Sequence, residues 1–318
     1  MSTTEVIRPQ QLTAGTRKRG VDYYIRKLGP IYLFLIPTFA FLLVFTYYPI
    51  FSAFFHSFFR WDGVHGQFVG FQNFRNLFTV DMQFRIAVPN VLKLTAFRVT
   101  VALTIPLLAA EIIFGLKNSR MAYFWRVALI IPMVVPWIVL ILVWLFIYDP
   151  QMGIINTLLK GVGLDKWTRL WLGDMRLALW CIAFYGFPWI SGLNLLIYLA
   201  GLDAISPELF DAAAIDGASR IRRIRHIDIP MIGGQLKLIF IMTIITQLQN
   251  FQDVMIFTNG GPGLSTFVPG LVLYHSAFYY SKMGYASAIG VFLFVIILVI
   301  TMFNMRFMQS GVEYSPEG

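Results

Sequence analysis

Six long apolar stretches divide the chain, and shorter polar segments separate them. They cover approximately residues 31–55, 91–114, 127–147, 177–200, 231–251 and 285–307. A helix needs about 20 mostly apolar residues to cross the hydrocarbon core of a bilayer. The stretches are continuous and do not alternate, which excludes the strands of a membrane barrel. The pattern therefore predicts an all-α, polytopic membrane protein with six transmembrane helices.

The composition supports a membrane protein and excludes several other classes. Of the 318 residues, 58% are hydrophobic and 13% charged, whereas a soluble domain carries about 25% charged residues. The one cysteine, Cys181, lies in an apolar stretch, which excludes a disulfide framework and a thiolate metal cluster. The net charge of +9 permits nucleic-acid binding, but loops that meet anionic lipid explain it better in so apolar a chain. We expect membrane lipid as a partner and no nucleic acid.

The positions of lysine and arginine predict the orientation of the helices. Fourteen cationic residues fall in the N-terminal arm, in the second and fourth connections and at the end of the last stretch, against eight in the other loops. The richer side faces the cytoplasm, so both termini are expected there. The predicted parts are a cytoplasmic N-terminal arm (1–29), a six-helix domain (30–308) and a cytoplasmic tail (309–318). The arm lacks the features of a cleaved signal peptide.

The cytoplasmic loop 201–230 carries the signals of a short helix with a defined start and stop. Ser206 is an N-cap candidate, Pro207 suits the first helical position and Glu208 complements the helix dipole. Gly217 is suited to the left-handed conformation after the last turn. The helix presents small and apolar side chains that it cannot bury alone, which indicates a protein partner.

This loop resembles the EAA motif of permease subunits in binding-protein-dependent ABC importers. The matching residues are Asp211-Ala212-Ala213, Gly217, Ile227 and Ile229-Pro230. The usual motif has Glu where this chain has Asp211 and Leu where it has Ile229. Both changes keep the charge or the apolar character.

A second block narrows the resemblance to sugar permeases of the maltose and glycerol-3-phosphate type. It consists of residues 250–262, with Thr258-Asn-Gly-Gly-Pro262 as its most specific part, followed by 273–278 and 284–288. The adjacent glycines permit positive φ, so the segment predicts a tight turn. The resemblance covers roughly residues 30–308 and implies the fold of a type I ABC importer transmembrane domain.

The resemblance also implies partners, a source of energy and a bacterial cytoplasmic (inner) membrane location. No Gly-x-x-x-x-Gly-Lys-Ser/Thr sequence occurs, so no cofactor is expected in this chain, and ATP and Mg belong to partner subunits. The expected partners are a second homologous permease, two ABC ATPase subunits, an extracytoplasmic solute-binding protein and a sugar or oligosaccharide. The residues expected to couple this chain to the ATPases are Asp211, Ala212, Ala213 and Gly217.

The four arginines that follow the predicted helix have two interpretations. Arg220, Arg222, Arg223 and Arg225 are either generic positive charges of a cytoplasmic loop or partners in salt bridges to the ATPase. Glu111, near the cytoplasmic end of the second stretch, is expected at the membrane interface.

Candidate substrate contacts are polar and aromatic side chains at membrane depth, where unpaired polar groups are costly. Amides match sugar hydroxyls and aromatic faces stack on sugar rings. The spacing of Thr246, Asn250 and Asp253 would place them on one helical face. The substrate-pathway candidates are Asn250, Thr246, Gln247, Gln249, Tyr185, Trp189 and Asn194. Polar residues that join helices are the alternative interpretation.

The intramembrane cations also allow two interpretations. Lys93 and Arg98 either extend their charged ends toward the outer headgroups or contact an acidic substrate. The four histidines lack metal-ligand spacing and no catalytic set accompanies them, so no metal site and no enzyme active site is expected. A stand-alone ion-coupled secondary transporter is the alternative function.

Overall fold

The computed structural model describes the backbone of residues 21–307 and the side chains of residues 32–306. Most of the predicted N-terminal arm, up to residue 20, and the predicted tail 309–318 lie outside the described residues. The first helix begins at Val21, within the stretch that the sequence assigned to the arm.

The described chain is built of α-helices with five short 3-10 or π segments and one hairpin. The first eight helices are α1 (Val21–Leu42), α2 (Tyr48–His56), α3 (Gln72–Thr79), α4 (Met82–Phe114), α5 (Ser119–Ile130), α6 (Trp137–Ile147), α7 (Ile154–Gly161) and α8 (Ala178–Phe184). The other eight are α9 (Gly192–Asp203), α10 (Pro207–Ile215), α11 (Arg220–Arg223), α12 (Ile229–Met231), α13 (Gly233–Gln249), α14 (Gln252–Phe257), α15 (Pro269–Tyr274) and α16 (Met283–Phe307). The π segments are Leu43–Tyr47, Ile224–Asp228 and His275–Tyr279, and the 3-10 segments are Ile131–Val134 and Asp165–Trp167.

The chain divides into two units, residues 1–52 and residues 53–318. In the first unit, every described side chain from residue 32 to residue 51 is exposed. The segment Tyr32–His56 has a mean hydropathy of 1.9. Apolar side chains on all faces of a helix need lipid or another protein chain to cover them.

Helix α4 organises the second unit. It has 33 residues, which corresponds to a length of about 50 Å. Its first half contributes Phe84 and Val91 to one buried cluster, and its end contributes Ala110 and Ile113 to the other. The first cluster is completed by α6, α8, α13, α14, α15 and α16, and the second by α9 and α13. Helices α4 and α13 are therefore the elements that the two halves of the core share.

Three continuous helices are long and apolar enough to cross a membrane: Tyr32–His56, Met82–Phe114 and Met283–Arg306. Three helix pairs pass the same test together but are bent by 89°, 70° and 68° at short breaks. Counted by length and composition, the described chain therefore has up to six spans. This agrees with the predicted all-α, six-helix membrane fold.

The third and fourth predicted stretches are not single continuous helices. The third predicted stretch bends by 89° between Val134 and Trp137, where Pro132 and Pro136 remove backbone donors and oppose a continuous helix. The fourth is interrupted between α8 and α9, where Gly186 and Trp189 have φ of 84° and 58°. Hydropathy detects the length of an apolar stretch, but does not detect such breaks.

The fifth predicted span also ends early. Helix α13 stops at Gln249, and Asn250 is its C-cap residue with an extended ψ of 123°. Asp253 belongs to the next helix, α14. Thr246, Asn250 and Asp253 are therefore not on one continuous helical face, and that expectation is wrong.

The loop 56–88 contains a hairpin that the sequence analysis did not predict. Strands β1 (Phe59–Trp61) and β2 (Gly66–Phe68) pair antiparallel, and α3 follows. The side-chain amide of Asn73 donates to the carbonyl oxygens of Ser57 and Phe59, at 2.9 and 2.8 Å. These two bonds fix the hairpin to α3.

The turn predicted at Thr258-Asn-Gly-Gly-Pro262 is present, but only one of its two adjacent glycines has a positive φ. Positive φ occurs at Asn259 (48°) and Gly260 (89°), and not at Gly261. The hydroxyls of Thr258 and Thr266 lie 2.7 Å apart, and Thr266 donates to the carbonyl of Gly261 at 2.9 Å. The buried Thr266 thus closes the turn from inside.

The start of α16 contacts the hairpin so closely that no side chain fits at Gly284. A Cβ atom built on Gly284 would overlap the carbonyl oxygen of Phe59. We expect Gly284→Val to lower the melting temperature of the detergent-solubilised protein, because overpacking of this kind costs about 1–3 kcal/mol. Gly233→Val is the control, because a Cβ atom at Gly233 meets nothing within 4 Å. Equal melting temperatures for the two variants would contradict this account of the contact.

Candidate functional site

The predicted cytoplasmic helix exists as α10. Its first end has no side-chain cap, whereas its last end is capped by backbone hydrogen bonds. Ser206 is the N-cap residue, but its side chain makes no capping hydrogen bond, and Pro207 occupies the first position. At the other end Gly217 has a φ of 66°. The amides of Gly217 and Ala218 donate to the carbonyls of Ala214 and Ala213, at 3.1 and 2.9 Å. This is the paired bonding of a Schellman motif, and it confirms the predicted left-handed glycine.

The three motif residues Asp211, Ala212 and Ala213 do not all face outward. Asp211 and Ala212 are exposed, whereas Ala213 is buried. Ala213 therefore packs within its own chain, and Asp211 and Ala212 are the motif residues on the surface of α10. Ile215, at 86% exposure, is the apolar residue that the sequence analysis missed on this surface.

A buried charge cluster connects the segment after α10 to the end of α4. The guanidinium of Arg223 donates to Asp228 at 3.0 Å and lies 3.8 Å from the carboxylate of Glu111. Asp228 is fully buried and Glu111 almost so. Arg220 donates to the backbone carbonyl of Glu111 at 2.7 Å. Glu111 lies in the last turn of α4, and its carboxylate is buried against Arg223 of its own chain.

Aromatic rings complete the connection between α10 and α4. The guanidinium of Arg223 lies over the rings of Phe210 and Phe114, at 5.1 and 5.7 Å from their centroids. The two rings are 5.7 Å apart. Phe210 belongs to α10 and Phe114 is the last residue of α4. Gly115 follows, and a Cβ atom there would overlap the guanidinium of Arg220.

Neither interpretation offered for the arginines anticipated this cluster. Arg220 and Arg223 bind groups of their own chain, whereas Arg222 and Arg225 are exposed. A signal was present in the sequence: Glu111 is the only acidic residue of the apolar helix α4. An isolated carboxylate near a buried helix end requires a cationic partner.

A cleft of about 430 Å³ lies between α4, α6, α9 and α13. It brings together several residues that the sequence analysis singled out. These are Arg98, Trp189, Asn194, Thr246 and Gln247. Arg98 is the midpoint of α4, sixteen residues from either end. The cleft is therefore at the middle of the longest helix of the second unit.

Arg98 is anchored inside the protein. Its guanidinium donates to the carbonyl oxygens of Ile182 and Tyr185, at 3.1 and 3.2 Å, and lies 4.5 Å from the Tyr185 ring centroid. These carbonyls end α8, where a cation is favourable. The interpretation in which Arg98 extends its charged end toward the outer headgroups is therefore wrong. Lys93 is exposed and does not line the cleft.

Asn250 and Tyr185 do not line the cleft, because a separate polar group holds them. The side-chain amide of Asn250 and the hydroxyl of Tyr185 both donate to the same carboxylate oxygen of Asp253, the amide at 2.8 Å. Gln249 lines a different, apolar cavity of about 280 Å³ beside α15 and α16. Three of the seven predicted pathway residues are thus outside the cleft. Among residues 32–306, no group of histidine, cysteine or acidic side chains is arranged to hold a metal ion.

Comparison with known families decides the class of the chain. Residues 102–313 match the family described as binding-protein-dependent transport system inner membrane component. The chain belongs to this family. The resemblance inferred from residues 201–230 and 250–288 is confirmed, and the alternative of a stand-alone ion-coupled transporter has no support.

Individual relatives and structures agree with the family assignment. The permease is 34% identical over 89% of its length to the probable ABC transporter permease protein YurN of Bacillus subtilis, of which it covers 97%. It is 33% identical over 92% of its length to the diacetylchitobiose uptake system permease protein NgcF of Streptomyces coelicolor, covering 86% of that chain. Its fold matches a chain of a bacterial ABC transporter for import of the acidic polysaccharide alginate, with a TM-score of 0.81 at 21% identity, over 92% of the permease and 99% of that chain.

The charge cluster generates a prediction about the coupling loop. We expect Arg223→Gln to destabilise residues 207–230, because removal of one partner from a buried ion pair costs about 3–5 kcal/mol. Hydrogen–deuterium exchange of this segment should become faster, and the additional change Asp228→Asn should restore part of the protection.

Arg225→Gln is the matched control, because Arg225 is exposed on the same segment. Its exchange should equal that of the unmodified permease. If both arginine variants exchange equally fast, Arg223 does not fasten the loop.

Proposed function

We propose that this chain is one of two permease subunits of an importer that uses ATP to move a sugar or oligosaccharide across the bacterial cytoplasmic membrane. The second subunit is a homologous permease, two ABC ATPase subunits bind ATP and Mg, and an extracytoplasmic binding protein delivers the substrate. The observation that carries the proposal is the capped, partly exposed helix α10, fastened to α4 in a chain of the binding-protein-dependent family. The uptake system of the relative NgcF, named for diacetylchitobiose, supports a saccharide substrate.

Helix α10 is the proposed contact with an ATPase subunit. Its exposed residues Asp211, Ala212 and Ile215 combine one charge with apolar surface, which suits a protein cleft. Gly217 sets the direction of the chain after the helix. Under this arrangement α10 and α11 lie on the cytoplasmic side, in agreement with the excess of cations in the loop 201–230 and with both termini in the cytoplasm.

The proposed route of coupling runs from α10 through Phe210 and Arg223 to Phe114 at the end of α4. The middle of α4 lines the cleft through Arg98. A packed helix moves as a unit, so a displacement of α10 reaches the cleft without being absorbed by a flexible linker. Helix α4 is thus the helix whose proposed movement changes the side of the membrane to which the cleft opens.

The cleft is the proposed substrate pathway of this subunit. Trp189 offers an aromatic face, and Asn194, Thr246 and Gln247 offer donors and acceptors for sugar hydroxyls. Asn250 and Tyr185 instead hold Asp253 and support the wall of the pathway. The exposed apolar helix of the first unit is the proposed contact with lipid and with the second permease.

A transport measurement tests the function as a whole. Vesicles that contain the complete complex and its binding protein should accumulate a saccharide when ATP is present on the ATPase side and no ion gradient exists. Uptake that follows an ion gradient and ignores ATP would refute the proposal.

A substitution at Gly217 tests the coupling role. We expect Gly217→Val to reduce uptake by tenfold or more while ATP hydrolysis continues, because a β-branched residue at positive φ costs about 1–2 kcal/mol. Gly217→Asn is the matched control, since asparagine tolerates this conformation and nothing lies within 4 Å of the new Cβ atom. Uptake by the valine variant at the level of the asparagine variant would contradict a role for the turn.

A glutamine pair tests the pathway. Gln247 lines the cleft and Gln249 does not, although they are two residues apart on α13. We expect Gln247→Ala to lower the rate of uptake about fivefold, because one hydrogen bond to the substrate contributes about 1 kcal/mol. Gln249→Ala should leave the rate unchanged. The reverse order of the two effects would place the pathway on the other side of α13.

A further inference from the structure

A cavity of about 860 Å³ lies at the other end of α4 from the coupling loop. It is enclosed by the hairpin, by the first turn of α4 and by the start of α16. Asp81, the N-cap residue of α4, lines the cavity. It is separated from Glu111 by roughly 45 Å of helix at 1.5 Å per residue. With α10 on the cytoplasmic side, this cavity faces the side from which substrate arrives.

The walls of the cavity are fastened to one another at three places. Asn73 holds the hairpin through Ser57 and Phe59. Gly284 lets the backbone of α16 touch the hairpin directly. The hydroxyl of Tyr285 donates to the carboxylate of Asp81 at 2.6 Å, which joins α16 to α4. A cavity held in this way binds a ligand without a large cost of ordering its walls.

The lining combines aromatic rings with uncommitted amides. The rings of Trp61 and Tyr280 line the cavity beside the side chains of Gln67, Asn76 and Gln83. Across the described part of the chain, these three amides make no side-chain hydrogen bond to the protein. Aromatic faces together with free amide donors and acceptors are the groups that recognise a polyhydroxylated ring.

The charges of the lining are balanced. Arg60 and Lys282 line the same cavity as the carboxylates of Asp62 and Asp81, and the ring of His65 lies 3.5 Å from the Asp62 carboxylate. Backbone amides of Val64 and His65 donate to Asp62, and these hydrogen bonds lower the pKa of that carboxyl, so Asp62 stays ionised at neutral pH. Two positive and two negative charges give no net preference for an anion or a cation. An uncharged ligand therefore fits better than an acidic one.

We propose that this cavity is a vestibule that binds one or two neutral sugar units of the incoming substrate before they enter the cleft. Its volume lies within the usual range for small-molecule sites. The proposal rests on the proposed function as a saccharide importer and adds a second binding site and a preference for neutral sugars. Trp61, whose ring stacks on that of His56 at 3.9 Å, is the proposed aromatic contact, and Gln67, Asn76 and Gln83 provide the hydrogen bonds.

Direct binding tests the vestibule separately from transport. The probes are maltotriose, cellotriose and diacetylchitobiose as neutral saccharides and trigalacturonate as an anionic one. Saturation-transfer NMR is recorded on the complete permease–ATPase complex in nanodiscs, without the binding protein. At least one neutral probe should bind. Trp61→Ala should weaken its binding tenfold or more, and Gln67→Ala about fivefold, because each lost hydrogen bond contributes about 1 kcal/mol.

Two control variants locate the signal. Trp167→Ala changes an exposed tryptophan of the other long loop and should leave binding unchanged. Gln247→Ala, in the cleft, should also leave the vestibule signal in place. Gln67 is an exposed residue of β2, so Gln67→Ala keeps the test informative if Trp61→Ala does not fold.

Four outcomes would overturn the proposal. Three concern the NMR signal: no binding by any neutral probe, binding of trigalacturonate alone, and a signal removed by Gln247→Ala but not by the vestibule variants. The fourth comes from a separate pull-down of the binding protein by the Trp61→Ala and Gln67→Ala complexes: loss of capture without loss of saccharide binding. The last result would make the cavity a docking surface for a protein. Failure of the importer assignment is a separate result, because the unmodified vesicles would then take up no saccharide.

Discussion

The buried ion pair between Arg223 and Asp228, with Glu111 beside it, is the interaction on which the organisation of this permease depends. Two carboxylates that are almost fully buried are tolerable only next to a cation, and only Arg223 supplies one within salt-bridge distance in the described chain. Because Glu111 belongs to α4 and Arg223 to the loop after α10, neutralising the charges also fixes the loop to the longest helix. The rings of Phe114 and Phe210 shield the guanidinium from water. The proposed docking helix α10 is thereby fastened to the end of α4.

This connection gives α4 three roles along its length. Its last turn receives the coupling loop, its midpoint places Arg98 in the cleft, and its first turn forms a wall of the vestibule. The span that contains α8 and α9 is interrupted beside the cleft, because the segment between the two helices and the start of α9 line it. Broken helices leave backbone carbonyls without partners inside the membrane, and Arg98 binds two of them. Arg98, a candidate substrate contact in the sequence, therefore also supplies hydrogen bonds to the carbonyls at the end of α8.

The three polar regions of the second unit form a sequence of environments along the proposed direction of transport. The vestibule has balanced charges and free amides, and the cleft has one anchored cation with amides and a tryptophan. The segment after α10 has a buried cluster of one guanidinium and two carboxylates. Outside the cleft, Asp253 is held by Asn250 and Tyr185. Saccharide chemistry suits the first two regions because both offer hydrogen bonds beside aromatic rings. The third region offers an exposed helix instead, which suits a protein.

The sequence alone determined the class of the protein, because a bilayer imposes a minimum length of apolar helix and a bias of cations that can be counted along the chain. It also determined the start of α10 at Pro207 and the left-handed Gly217 that follows its end, since capping depends on a few neighbouring residues. Tertiary structure decided the rest. The spacing of Thr246, Asn250 and Asp253 suggested one face, but α13 stops at Gln249. Contacts between residues far apart in the chain decide which polar groups line the cleft and which are hydrogen-bonded to Asp253. They also decide which arginine pairs with Glu111. A pattern of local spacing carries no information about those distances.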